Sequence, residues 1–149
     1  MNADSFPQTA QPAGAPPPCR TSQPHRILVA DDEACIRLLL ISVLVGSGYE
    51  VDAAEDGAAA WEALQAKPYD LLITDHNMPR ITGVELIKNL RSARMGLAVV
   101  MVAGELPESE LNRNPSLQLA ATLLKPFALD ALMDAVKRAL RGVLPQISS

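Results

Sequence analysis

Leu71-Leu72-Ile73-Thr74-Asp75-His76-Asn77-Met78-Pro79 is a short, mostly apolar run that stops at a carboxylate, after which a proline prevents the strand from continuing. Leu71 to Thr74 suit a strand covered on both faces, as strands of parallel sheets are. The acid would then stand at a strand's carboxyl end, where open α/β sheets bind their ligands. Asp is also an ordinary turn residue, so the stretch acquires meaning only if other strands send matching groups to the same edge.

Working outward, the same pattern recurs. Ile27-Leu28-Val29-Ala30 runs into Asp31-Asp32, Leu97 to Val102 runs into Ala103-Gly104, and Ala120 to Leu124 is stopped by Lys125-Pro126. With Tyr49 to Ala54 as the second strand and Asp70 to Thr74 as the third, five strands are expected. Helical patterns separate them. Glu33 to Val45 carries Ile36, Leu39, Leu40, Val43 and Leu44 at helical spacing before Gly46 and Gly48, and Asp56-Gly57 opens a helix that bears Trp61 and Leu64 and ends before Pro68. Val84 to Arg94 places Val84, Ile87, Leu90 and Arg91 in an amphipathic pattern, and Glu108 to Asn112 is a helix without apolar spacing. Leu129 to Arg141 sets Leu129, Leu132, Met133, Val136 and Leu140 on one face, with Asp130 early and Lys137, Arg138 and Arg141 late, the order that complements the helix dipole. Strands alternating with helices predict right-handed crossovers, hence a doubly wound α/β fold: one five-stranded parallel sheet with helices on both faces.

The bulk numbers agree with one such domain. The chain has 149 residues, 48% of them apolar and 20% charged, which suits a globular domain and is too short for two ordinary ones. Aromatics at 3% leave little for base stacking, and a net charge of −4 offers no basic footprint, so nucleic acid is not an expected partner. No membrane span or secretory leader is evident. Cys19 and Cys35 are two unclustered thiols that form no zinc motif, and a cytoplasmic setting is inferred. Residues 1–24, with Pro7, Pro12, Pro16, Pro17, Pro18 and Pro24, read as a disordered arm, 25–142 as the folded domain, and 143–149 as a frayed tail.

In a doubly wound sheet all strand ends share one rim, which would gather Asp31, Asp32, Asp75, Ala103 and Lys125. Three clustered carboxylates repel one another and need a cation. Oxygen donors without His or Cys suit a hard ion, Mg²⁺ above all. Lys125 would add a point positive charge from the opposite side. The combination fits phosphoryl transfer onto a carboxylate, with Asp75 as nucleophile.

At these residues the chain resembles the receiver domains of two-component response regulators. The resemblance rests on Ile27-Leu28-Val29-Ala30-Asp31-Asp32-Glu33, on Asp75-His76-Asn77-Met78-Pro79 with Thr82-Gly83, and on Lys125-Pro126-Phe127, and it spans roughly Arg26 to Arg141. It implies the flavodoxin-like strand order 2-1-3-4-5 and a phosphorelay role: a phosphoprotein that takes a phosphoryl group from a histidine kinase or phosphotransfer protein and signals to a downstream protein. Such a domain is a signalling module, not an enzyme with an external substrate, though it assists its own phosphorylation and dephosphorylation. By matching position, Asp75 resembles the phosphoacceptor and Lys125 the phosphate-pairing lysine. Mg²⁺ would be held by Asp75, by Asp32 directly, by Asp31 through water, and by the backbone carbonyl of Asn77. The Lys125-Pro126 bond looks like the family's cis peptide. Two positions depart from the pattern: Ala103 stands where Ser or Thr is usual, and Thr122 where an aromatic residue is usual. Both halves of the usual hydroxyl-to-aromatic coupling are therefore missing, which motivates an alternative in which the fold binds a partner constitutively, without switching.

A phosphatase using an aspartyl phosphate would carry a second Asp at the place of Asn77, and no G-x-G-x-x-G follows the first strand as a dinucleotide fold requires. Glu105 and Asn77 sit near enough to tune a phosphate's lifetime. His76 is read as exposed and incidental, Trp61 and Cys35 as packing residues.

Overall fold

The computed structural model describes residues 24–141, so the expected arm and tail lie outside it except for Pro24. The elements in chain order are β1 (Arg26–Ala30), α1 (Ala34–Gly46), β2 (Glu50–Ala54), α2 (Gly57–Ala66), β3 (Leu71–Thr74), α3 (Gly83–Ser92), β4 (Ala98–Ala103), α4 (Glu108–Arg113), a 3₁₀ turn (Pro115–Leu117), β5 (Ala121–Leu124) and α5 (Leu129–Arg141). All strand pairs are parallel and the order is β2-β1-β3-β4-β5, the arrangement the resemblance implied.

The two-residue period of a strand divides the core into two layers. Leu28, Ala30, Leu72, Val99, Met101 and Ala103 point to the side of α2 and α3, where Ala60, Leu64, Val84, Leu86, Ile87 and Leu90 meet them. Ile27, Val29, Leu71, Ile73, Val100 and Val102 point to the side of α1 and α5, against Leu40, Leu44, Leu132, Val136 and Leu140. Local chemistry sets the helix starts. Asp56 accepts the Ala59 N–H at 2.8 Å to open α2, and Thr82 and Glu85 form a reciprocal capping box on α3.

Coverage is unequal at β5. Ala121 and Leu123 face the α1/α5 layer, whereas Thr122 and Leu124 on the other face are exposed, Leu124 by 55%. The expected cover on both faces therefore holds for the central strands and lapses on one side of this edge. The six-residue α4 buries none of its residues and leaves that side open. Between α4 and β5 the 3₁₀ turn, absent from the sequence reading, is tied back to α3 by Arg91. Its guanidinium donates to the carbonyls of Leu117, Met95, Leu97 and Gln118. Among the described residues no helix is long and apolar enough to cross a membrane.

Candidate functional site

Three connections meet at the carboxyl edge of the sheet: β1 to α1, β3 to α3 and β5 to α5. Parallel register sets Ala30 beside Thr74, so the residues that follow them, Asp31 and Asp75, are neighbours. Their backbones are pinned, Asp75 N–H donating to the Ala30 carbonyl at 2.9 Å and Asp31 N–H to that of Ala54 at 3.2 Å. One carboxylate oxygen each from Asp31, Asp32 and Asp75 lie within 4.8 Å of one another. Asp31 and Asp75 are only 2% and 6% exposed, while Asp32 faces solvent. The pocket thus has an open side.

Lys125 stands inside this cluster rather than across from it. Its Nζ lies 3.0 Å from Asp31 Oδ2, 3.0 Å from Glu33 Oε1 and 3.2 Å from Asp75 Oδ2. Its own N–H donates to the Ala103 carbonyl at 2.8 Å, which holds the start of the β5–α5 connection against β4. Burial acts to lower the Lys125 pKa, but the carboxylates of Glu33, Asp31 and Asp75 outweigh it and the net direction is upward. Asp31 goes the other way for an acid. Burial raises its pKa, opposed by the Glu33 N–H at 2.9 Å and by Lys125. Glu33 was not singled out from sequence, although it directly follows the acidic pair. The signal was a third acid in Asp31-Asp32-Glu33.

The loop after β3 is tightly drawn in. His76 N–H donates to Asp75 Oδ1 at 2.7 Å, Thr74 Oγ1 to the Asp75 carbonyl at 2.8 Å, and Gly83 N–H to the His76 carbonyl at 2.8 Å. A Cβ at Gly83 would collide with the Asp75 carbonyl oxygen, so only glycine lets α3 start this close. Asn77 lies in this loop with its side chain exposed, and Glu105 is exposed beyond β4. Ala103 is fully buried at the end of β4, Thr122 is exposed on β5, and the Lys125-Pro126 peptide is cis.

Two expectations about bystanders need correction. His76 is not exposed: its side chain is 12% accessible, because it is turned toward α4, with Nε2 3.9 Å from Glu110 Oε1. Cys35 is exposed rather than packed, in the first turn of α1. Trp61 is half-buried against the α2/α3 layer.

The donors gathered here are carboxylate oxygens with one side open, a set suited to a hard divalent ion that keeps part of its water. Residues 27–137 match the family model of the response regulator receiver domain. Over 120 residues the chain is 38% identical to the sensor protein EvgS of Escherichia coli K12, covering 80% of this chain and 10% of EvgS. It is 33% identical over 120 residues to the response regulator receiver protein CpdR of Brucella abortus, covering 77% of this chain and 96% of CpdR. The crystal structure of the response regulator TrrA of Thermotoga maritima in complex with Mg²⁺-BeF superposes with a TM-score of 0.70 at 33% identity, covering 78% of this chain and 99% of TrrA. The chain therefore spans nearly the whole of CpdR and about a tenth of EvgS.

Proposed function

The chain belongs to the response regulator receiver domains of two-component systems, and from that premise we propose that it is a cytoplasmic phosphoacceptor module in which Asp75 receives the phosphoryl group of a histidine kinase or phosphotransfer protein. The observation that carries the reading is the constellation around Asp75: two further carboxylates within 4.8 Å and a lysine Nζ 3.2 Å from its Oδ2.

In this reading the Asp75 carboxylate attacks the phosphorus of a phosphohistidine. The P–N bond breaks, its electron pair leaves on the imidazole nitrogen, and that nitrogen takes up a proton. Asp31, Asp32 and Asp75, with the backbone carbonyl of Asn77, would hold Mg²⁺, which supplies charge neutralisation for the transferring group. Lys125 pairs with the new phosphoryl oxygens, and Asp31 and Glu33 keep its ammonium charged and aimed at the pocket. His76 N–H holds one oxygen of the Asp75 carboxylate, and the close approach of Gly83 fixes the main chain that carries it, which restricts the orientation of the attacking group. The added charge of about −1.5 to −2 then alters the surface presented to a downstream protein.

Incubation with Mg²⁺ and a small phosphodonor such as acetyl phosphate is expected to give an acid-stable, base-labile acyl phosphate on wild type and none on Asp75→Ala. No adduct on wild type, or an equal one on the variant, overturns the reading. A second reading, constitutive partner binding without switching, is favoured by Ala103, which brings no hydroxyl to the pocket. It requires equal partner affinity with and without beryllofluoride, and a difference above about tenfold, or ~1.4 kcal/mol, excludes it.

A further inference from the structure

Each N–H of the Lys125 ammonium is already in use. An ammonium has three to give, and they go to Asp31 Oδ2 at 3.0 Å, Glu33 Oε1 at 3.0 Å and Asp75 Oδ2 at 3.2 Å. The three acceptors are not equivalent. Asp31 and Asp75 have side chains 2% and 7% exposed and belong to the carboxylate cluster, whereas the side chain of Glu33 is 61% exposed and stands outside it. Glu33 is also the N-cap residue of α1, a place where a side-chain oxygen commonly accepts an N–H of the first helical turn. Its carboxylate makes no such bond. It crosses instead to a lysine 92 residues further along the chain. The main chain beneath it is fixed, the Glu33 N–H donating to Asp31 Oδ1 at 2.9 Å and its carbonyl accepting the Arg37 N–H at 3.0 Å. The carboxylate is therefore the part of Glu33 that can leave.

We infer that Glu33 competes with the phosphoryl group for Lys125 and so weakens the pocket's hold on that group, an inference that rests on the phosphoacceptor reading. The contact that keeps the ammonium at the pocket in the resting chain also takes one of its N–H and part of its charge. A phosphoryl group on Asp75 adds a charge of about −1.5 to −2 to the carboxylate that Lys125 Nζ already touches. Lys125 then meets the new oxygens with the Glu33 carboxylate still 3.0 Å from its Nζ, and two anions drawn to one ammonium repel each other. Asp31 and Asp75 are walled in, while Glu33 has solvent to retreat into. Its charge is thus the part of the resistance that can be removed without dismantling the carboxylate cluster.

Beryllofluoride, as the phosphoryl mimic, tests this in the full chain at saturating Mg²⁺, with the bound ligand read from its ¹⁹F resonance. Glu33→Gln keeps an oxygen that can accept from Lys125 and drops the charge, so it separates competition from positioning. It is expected to lower the dissociation constant for beryllofluoride by about threefold, the scale of an ion pair with an exposed member, and Glu33→Ala by as much or more. The gain should shrink toward none near about 1 M salt, where the screening length falls to about 3 Å. Loss of a merely structural contact has no such dependence. Glu62→Gln removes an exposed charge on α2 and is expected to leave the dissociation constant unchanged. An unchanged or raised constant in Glu33→Gln, a gain that salt does not diminish, or an equal gain in Glu62→Gln overturns the competition and leaves the phosphoacceptor reading standing. No bound fluoride in wild type overturns the phosphoacceptor reading and the competition with it.

Discussion

Asp31 shows how the pocket trades stability for a charge it needs. Its carboxylate is 2% exposed, and burial raises its pKa from the ordinary 3.8 despite Lys125 and the Glu33 N–H. A raised folded-state pKa means the native chain holds that proton more tightly than the unfolded chain does. The stability Asp31 contributes is therefore fully present below 3.8 and is lost as the pH rises through the folded value. Without divalent cation, Asp31→Asn is expected to unfold at higher denaturant than wild type near neutral pH, where burial disfavours the wild-type charge. That gap should close toward about pH 3, where the wild-type group is protonated in both states. Unfolding curves of the two proteins across this range decide it, and a gap that does not change with pH refutes it. Sequence placed Asp31, Asp75 and Lys125 on one rim from their strand-end positions. It put Lys125 on the far side of the pocket and passed over Glu33, because the path of a lysine side chain depends on which carboxylates the fold brings within its reach.

At the scale of elements, legibility followed local chemistry. Helix α5 has the bounds expected from its apolar face, and α3 starts one residue before the expected Val84, at Gly83. Its start is set by Thr82 and Glu85, whose side chains each accept the other's backbone N–H, at 3.2 and 2.9 Å. Thr82→Ala is expected to cost about 1 kcal/mol, seen as a lower denaturation midpoint with an unchanged slope, because an N-cap oxygen is lost while the buried area stays the same. No change in midpoint would mean that Gly83 and the tertiary contacts alone hold the helix start. The expected end of α3 at Arg94 was too late. The helix stops at Ser92 and Arg94 takes a φ of 61°. The 3₁₀ turn at Pro115–Leu117 has no sequence periodicity of its own, and it is held by long-range bonds from Arg91, which a reading of local pattern cannot see.

For the whole molecule, the arrangement predicts ligand-dependent stability. Three carboxylates at one rim with a single lysine among them leave net negative charge in a part-buried pocket. A divalent cation that binds only the folded chain should raise the melting temperature, by an amount equivalent to about 2.7 kcal/mol at a hundredfold excess over its dissociation constant. Asp32→Asn, which changes only the exposed member, should remove most of that shift while leaving the metal-free melting temperature nearly unchanged. A thermal scan with and without Mg²⁺ checks this, and equal shifts in both proteins would place the ion elsewhere. Two apolar layers fix the sheet that carries the rim, so metal binding is expected to stabilise the fold and not to remodel it.

Taken by itself, the sequence determined the number and order of the strands and α-helices, the parallel sheet and the identity of the residues at its strand ends. These follow from period-two and period-3.6 patterning and from turn residues, all of which are local. Only the tertiary structure decided that Lys125 sits among Asp31, Glu33 and Asp75, that Ala103 is sealed off while Thr122 and Leu124 stay open, and that His76 turns inward toward Glu110. Those outcomes depend on distances between segments far apart in the chain. They are set by how α4, the β3–α3 loop and the β5–α5 turn pack together, information that no single stretch of sequence carries.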